Sequence, residues 1–164
     1  MSSYLTTKAA IKAAIEYADA TATVHDRKRI PHPPTDDKLA ELLIETKADG
    51  TKQVHAWMFT RINSPSAAMI AEPGTASIRE ITETWKIFGY RSFDDAGSEY
   101  DFQQTIDEVR SALATHSAFT DLRKRTAYVQ DISIATIDEA LLTNQHLCHW
   151  CEIFLTLVYP TTLL

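Results

Sequence analysis

Glycine, cysteine and basic residues are scarce in this 164-residue sequence. It holds 4 glycines and 2 cysteines, and 22 aspartates and glutamates outnumber its 16 lysines and arginines. The glycine-rich loops that cradle phosphate groups therefore have little material, and the GxGxxG, GxxxxGK, GxSxG and HExxH motifs are all missing. A net charge of -6 disfavours a protein that grips nucleic acid, because such binding depends on a basic surface.

Long apolar runs are missing as well. No run reaches the roughly 18 residues that a membrane-spanning helix requires, and the stretch Met1–Leu5 lacks the basic and then apolar layout of a secretion signal. We therefore expect no membrane partner and an intracellular origin. The length and the 45% content of apolar residues predict one domain over residues 1–164, with a core that needs no metal or disulfide.

The two cysteines form a CxxC motif at Cys148 and Cys151, next to His146 and His149. This spacing is typical of zinc and redox sites. The apolar stretch that begins at Cys151 favours a strand, however, on which residues three apart point to opposite faces. The remaining histidines lie singly, without a partner at metal-ligand spacing. We therefore predict two diverging thiols, no metal site and no cofactor.

Apolar residues at helical spacing predict two helices. The first covers Tyr4–Ala20, an alanine-rich segment without glycine or proline. The second begins near Ser98, which forms with Asp101 a pattern similar to a capping box. The apolar stripes that define them comprise Leu5, Ile11, Ala14, Ile15 and Ala18 in the first helix, and Phe102, Ile106, Val109 and Leu113 in the second.

A β-hairpin is predicted around Asp49–Gly50. The preceding Leu39–Lys47 fits a helix or a strand, but the β-rich Gln53–Ile62 that follows favours a hairpin. A two-residue turn at Asp49–Gly50 would place Ile44 opposite His55. The other face of the hairpin mixes charged and apolar side chains, which is typical of a contact with a neighbouring subunit.

Alternating polar and apolar residues predict three further strands, at Ile78–Phe88, Tyr128–Ile137 and Cys151–Tyr159. Gly89 is expected to end the first, and Asp138–Gln145 is expected to link the other two. The order is then helix, two strands, strand, helix, two strands. It predicts an α+β fold in which two main helices pack on a mostly antiparallel sheet of about five strands.

Two long loops complete the predicted domain. A proline-rich loop covers residues 24–35, and an extended loop or arm covers residues 63–77, with Met69 and Ile70 as its large apolar residues. Loops of this length in a compact chain are usually functional or mobile.

No set of residues converges on a catalytic site. Asp94–Asp95 fits a cation site or an acid and base pair, but it also fits turn chemistry ahead of a helix whose positive end attracts carboxylates. His55 fits a general base, or a packed histidine at the rim of the core. The basic runs Arg27–Arg29 and Arg123–Arg125 fit phosphate contacts or solvated loops. Turn chemistry, packing and solvated loops are the more common explanations of these patterns. We therefore predict no catalytic residue and a protein that is not an enzyme.

The order of the helices, loops and strands along the chain follows a recognisable pattern. The N-terminal helix and the proline-rich loop precede the strand Val54–Arg61, Trp85–Tyr90 leads into Ser98–Gln103 and a helix, and Cys151–Tyr159 closes the sheet. Over roughly residues 4–159 this order resembles the tail-terminator proteins of long-tailed bacteriophages. The stopper and tail-completion proteins of the phage neck share related layouts.

This resemblance implies a non-enzymatic virion protein of the tail or neck, assembled in the host cytoplasm. Such proteins form a ring, commonly of six copies, that caps the tail tube and joins it to the head-side connector or stopper protein. DNA passes through the lumen without sequence-specific binding, and an acidic lining suits this because carboxylates repel phosphates. The predicted contacts with neighbouring chains are Arg27, Arg29, Met58, Met69, Ile70, Trp150 and Phe154.

The alternative is a small α+β enzyme or ligand-binding module. Its pocket would lie between sheet and helix and would use His55, Trp57, Glu83 and Trp85. The two hypotheses differ in the mass of the particle, because a joint protein forms a closed ring and a small module does not.

Overall fold

Two helices and seven strands make up the part of the chain that the structure describes. The structure is a computed structural model and describes residues 3–27, 43–63, 66–70, 78–93, 97–117, 128–143 and 146–162. The predicted α+β class is confirmed, with seven strands in place of about five. In chain order the elements are α1 (Ser3–Ala18), β1 (Thr23–His25), β2 (Ile44–Thr46), β3 (Lys52–Arg61), β4 (Ser66–Ile70), β5 (Ile78–Ser92), α2 (Ser98–Thr115), β6 (Tyr128–Thr143) and β7 (His146–Thr162).

The strands form one mixed, mostly antiparallel sheet in the order β1-β3-β5-β7-β6. β1 runs parallel to β3, and the other strand pairs in the described residues are antiparallel. β3 and β4 follow one another along the same edge of β5, and at their junction the side-chain oxygen of Asn63 accepts a hydrogen bond from the backbone N–H of Thr84 at 2.8 Å. β5 pairs with β7 along its whole length, from Ile78 to Ser92.

The main core lies between the two helices and one face of the sheet. Successive residues of a strand point to opposite faces, so alternate residues of β3, β5 and β7 reach this core. The apolar stripe of α2 is buried there, together with Trp85 and Ile87 of β5 and Cys151, Ile153, Leu155 and Leu157 of β7. Leu5 of the predicted α1 stripe is 55% exposed. The main core consists of Ala10, Ile11, Ala14, Ile15, Trp57, Phe59, Trp85, Ile87, Phe102, Ile106, Val109, Ala112, Leu113, Cys151, Ile153, Leu155 and Leu157.

The opposite face of the sheet carries a second cluster of buried apolar residues. Met58 pairs with Phe88 and Ala56 pairs with Tyr90 across β3 and β5, which brings the four side chains together on this face. The two helices pack on the other face, so both sides of the sheet are apolar. The second cluster consists of Leu43, Val54, Ala56, Met58, Phe88, Tyr90 and Cys148, with Ile44 and Trp150 packed against it.

The β2–β3 hairpin forms, but the predicted register was wrong by one residue. Ile44 lies opposite Val54, where a two-residue turn would have placed it opposite His55. Lys47 and Thr51 enclose a three-residue loop, in which the N–H of Gly50 donates to the carbonyl of Lys47 and Gly50 has a φ of 84°. This is the turn followed by a left-handed glycine that three-residue hairpins commonly use. A slip of one residue moves Ile44 to the opposite face, which is why it joins the second cluster.

Gly89 does not end β5, contrary to the sequence prediction. The strand continues to Ser92, and Gly89 lies opposite Trp57 of β3. A Cβ atom on Gly89 would lie 2.5 Å from Cζ3 of Trp57, closer than any real contact. The glycine is therefore needed because an indole ring occupies the space above it, and the backbone stays extended.

Parts of three predicted connections are strands. Thr23–His25 pairs with β3, Ser66–Ile70 pairs with β5, and β6 runs on to Thr143 through most of the predicted link to β7. These pairings join distant segments, which local composition does not reveal. The proline-rich loop from residue 28 onward, including Arg29, lies outside the described residues, as does Asp94–Asp95.

Candidate functional site

A buried carboxylate accepts hydrogen bonds from two side chains of β3. Asp19, just past the end of α1, accepts hydrogen bonds through Oδ2 from Nε2 of His55 and from the indole N–H of Trp57, both at 2.8 Å. His55 and Trp57 point to the helix side of the sheet because they are alternate residues of β3. We call these three residues the Asp19 cluster. Its carboxylate is nearly sealed from solvent, whereas the His55 side chain is 15% exposed.

The contacts of Asp19 fix its charge and the proton position on His55. Burial by itself would raise the pKa of Asp19, but the hydrogen bonds from His55 and Trp57 and the nearby charges of His55 and Arg91 outweigh it and hold that pKa below its usual value. An ionised carboxylate only accepts hydrogen bonds, so Nε2 of His55 carries a hydrogen. Nδ1 of the same ring lies 3.5 Å from the hydroxyl of Thr21.

The exposed edge of His55 faces a polar cavity of about 300 Å³, which we call the His55 pocket. Lys47 contributes to it from the β2–β3 loop and Arg91 from β5. Arg91 also makes long contacts with α2, at 3.4 Å to the Thr105 hydroxyl and 3.7 Å to the Asp101 carboxylate. The described residues that line the His55 pocket are Thr21, Lys47, Gln53, Val54, His55, Arg91 and Ser92.

A second buried carboxylate lies toward the other end of β3. Glu83 of β5 is 3.1 Å from Nη1 of Arg61 and accepts a longer hydrogen bond, 3.4 Å, from the indole N–H of Trp85. The ring of Tyr4 stacks on Trp85, and the Arg61 guanidinium lies 4.7 Å from the centre of that tyrosine ring. We call Glu83, Arg61, Trp85 and Tyr4 the Glu83 cluster. It attaches the start of α1 to the sheet.

The four residues of the predicted enzyme pocket are therefore divided between two places. His55 and Trp57 belong to the Asp19 cluster, and Glu83 and Trp85 belong to the Glu83 cluster. His55 and Arg61 are six positions apart on β3, which corresponds to about 20 Å of extended strand. The structure does not bring the four side chains together around one cavity.

A buried serine and histidine meet where α2 begins. Ser98 was expected to cap this helix, but Gly97 occupies the N-cap position, and the Ser98 hydroxyl instead lies 3.0 Å from Nε2 of His149 on β7. The His149 ring packs between Phe93 and Phe102. Both polar side chains are almost fully buried, so this hydrogen bond fastens α2 to the sheet.

The two cysteines diverge as predicted. Cys148 lies in the second cluster and Cys151 in the main core, on opposite faces of the sheet, and both are buried thiols. Burial raises the pKa of Cys151 to about 12, which keeps that thiol protonated. No group of three or more metal-binding side chains is found within the described residues.

The predicted contact residues occupy different environments. Met58 is completely buried in the second cluster, so it supports the chain's own fold and is not available to a neighbour. Trp150 and Phe154 are half-buried on the same face, where the Lys86 ammonium lies 5.0 Å from the Phe154 ring. Arg27 is exposed beyond β1. Met69 and Ile70 lie on β4, opposite Arg79 and Ile78 of β5.

Sequence reasoning missed Asp19 and Arg91, the residues that give His55 its setting. One signal was present, because an acid at the C-terminal end of a helix is disfavoured by the negative end of the helix dipole. An acid at that position calls for a cationic or hydrogen-bonding partner. The partner itself is 36 residues away and could not be identified from spacing.

Comparisons with known proteins do not assign the chain to a family. No protein-family description matches it, and no curated protein shows significant similarity. Within the described residues, no helix has both the length and the apolar character needed to cross a membrane.

Proposed function

We propose that this protein is a structural subunit of a virion ring that caps the tail tube of a long-tailed phage and joins it to the head-side connector. DNA passes through such a ring without sequence-specific contacts. The proposal combines the order of elements, which resembles tail-terminator proteins, with one feature of the fold, the outer edge of β6.

β6 is the terminal strand of the sheet and pairs only with β7 among the described residues. It has 16 residues, whereas strands usually have 3 to 10, and its pairing contains three register shifts. A long edge strand presents a row of backbone donors and acceptors to any strand that approaches it. A neighbouring subunit that adds a strand there makes a head-to-tail contact, and such contacts close into a ring when the rotation allows.

Apolar side chains near this edge support the same proposal. Ile132 and Ile134 pack at the margin of the main core, but Ile137 is 42% exposed and Leu147 is also exposed. A second subunit would remove these side chains from water.

Sedimentation velocity and native mass spectrometry of the purified full chain test the proposal. We expect a discrete closed oligomer of several copies, six if the resemblance holds, and electron micrographs that show rings with an opening wide enough for duplex DNA. A protein that stays monomeric over the whole concentration range would contradict the proposal.

A matched pair of variants tests the role of β6. Ile137→Lys introduces a charge at the proposed contact and should shift the population from rings to monomers. Leu5→Lys places the same charge at another exposed apolar position, on α1, and should leave the oligomer intact. Equal behaviour of the two variants would show that β6 is not the contact.

A further inference from the structure

The His55 pocket is lined mainly by groups that can donate hydrogen bonds. Two of them, Lys47 and Arg91, carry a permanent positive charge and come from different elements, the β2–β3 loop and β5. The others include the hydroxyls of Thr21 and Ser92 and the side-chain amide of Gln53. The hydroxyl oxygen of Ser92 accepts the N–H of Val54 at 2.6 Å, so its own hydrogen is directed elsewhere.

The acidic groups around this pocket are already engaged. Both hydrogen bonds to Oδ2 of Asp19 come from inside the Asp19 cluster. Asp101 approaches Arg91 only at 3.7 Å, and more than half of its side chain is exposed to water. No carboxylate of the described residues lies within salt-bridge distance of Lys47. The Asp49 carboxylate interacts with Lys47 electrostatically, and its Oδ1 accepts the N–H of Thr51. The two cations are therefore accessible to an anion from solution, in a protein whose overall charge is negative.

The Asp19 carboxylate also fixes the position of His55 in this pocket. By accepting the hydrogen of Nε2 it sets the orientation of the ring. The second ring nitrogen, Nδ1, then lies 3.5 Å from the Thr21 hydroxyl. A fixed ring with a charged partner behind it loses little freedom when a ligand binds.

We propose that the His55 pocket binds a small oxyanion of the phosphate class, with Arg91 and Lys47 as its charged contacts and the hydroxyls of Thr21 and Ser92 as hydrogen-bond donors. A cavity of about 300 Å³ accommodates a phosphate group together with part of a small molecule attached to it. Arginine suits this role because its guanidinium presents paired donors to phosphate oxygens. The pocket lies within one chain, so this inference is independent of the ring proposed above.

The test is a titration of the full chain with inorganic phosphate at constant ionic strength, followed by calorimetry and by the NMR signals of the His55 ring. We expect saturable binding with a Kd of about 1 mM or tighter, and a shift of the His55 signals. A second titration uses adenosine monophosphate. Tighter binding of the nucleotide would identify a phosphorylated small molecule as the ligand, and equal or weaker binding would identify the free ion.

Variants establish whether the ion occupies the proposed site. Arg91→Gln should weaken phosphate binding about tenfold, because it removes a charge-assisted hydrogen bond. Lys47→Gln, on an exposed loop, should weaken it in the same direction and serves if Arg91→Gln does not fold. Arg110→Gln makes the same charge change at an exposed position of α2 and should leave binding unchanged.

Two results would overturn the inference. One is the absence of saturation up to about 10 mM phosphate, a concentration about ten times the largest Kd expected of the site. The other is an equal loss of affinity in Arg91→Gln and Arg110→Gln, which would show that binding follows net charge alone. Either result leaves the oligomer measurement unaffected, so a failure here is separate from a failure of the ring proposal.

Discussion

The Asp19 and Glu83 clusters each provide hydrogen-bond donors for a buried carboxylate, toward opposite ends of β3. In each, a buried carboxylate accepts a hydrogen bond from a tryptophan indole and is paired with a nitrogen base. The base is a histidine in one cluster and an arginine in the other. The arginine presents a planar set of donors to its carboxylate, whereas the histidine ring directs only Nε2 to its own.

The surroundings of the two clusters also differ, because one is closed by packing and the other opens onto a cavity. Arg61 covers the ring of Tyr4 and ties α1 to the sheet, so the Glu83 cluster ends in packing. His55 instead opens onto a polar cavity that Arg91 and Lys47 also line. The comparison shows that a buried carboxylate and its partner can attach a helix to the sheet, or can orient a side chain that lines a cavity. What distinguishes the two is the group that faces solvent.

The largest expected effect is the loss of the Glu83 carboxylate. Glu83→Ala leaves Arg61 and the indole N–H of Trp85 without their acceptor, and we expect the free energy of unfolding to fall by about 3 kcal/mol. Asp19→Ala should cost less, about 2 kcal/mol, because His55 can turn to water in its pocket. Urea unfolding of both variants measures the difference. A larger loss in Asp19→Ala would invert the comparison.

A smaller effect is expected from Gly89→Ala, which disturbs only the Asp19 cluster. The added methyl group would overlap the Trp57 ring, and overpacking of this kind costs about 2 kcal/mol. The matched control is the double variant with Trp57→Phe, whose smaller ring frees the space. We expect the two changes together to cost less than their sum in urea unfolding. Simple additivity would show that Gly89 and Trp57 do not share this contact.

The smallest effect is a pH dependence that belongs to Asp19. Its pKa in the folded protein lies below the usual 3.8, so the unfolded chain binds more protons at acidic pH. The stabilisation is complete above about pH 4 and is lost as the pH falls through the folded pKa. The free energy of unfolding should therefore decline more steeply in the wild type than in Asp19→Asn, by at most about 1.4 kcal/mol per pH unit. Parallel curves for the two proteins below pH 4 would show that Asp19 is not stabilised by its partners.

Some of these features could be predicted from the sequence. Alternation in β5 and β7 and the apolar stripe of α2 assign side chains correctly, because burial on one face imposes a fixed period. His55 could be singled out as a candidate, but its setting could not. Asp19 is 36 residues away from His55 in the chain, and Arg91 lies on a different strand. Contacts between such distant residues produce no pattern in the local sequence.

The register of the β2–β3 hairpin could not be predicted from the sequence, for a different reason. The sequence locates the turn at Asp49–Gly50, but two- and three-residue loops are both compatible with it, and they place Ile44 on opposite faces. The energies of local turns differ little, so the choice depends on what the hairpin packs against. Here the second cluster receives Ile44.

The amino-acid order alone determined the α+β class, the helical stripe of α2 and the face on which the main-core side chains of β5 and β7 lie, since these follow from short-range periodicity. Only the tertiary structure decided that β1 and β4 join the sheet, that an indole occupies the space over Gly89, and that Asp19 meets His55. These features depend on pairs of residues far apart in the chain, whose contact energy exists only after the chain has folded.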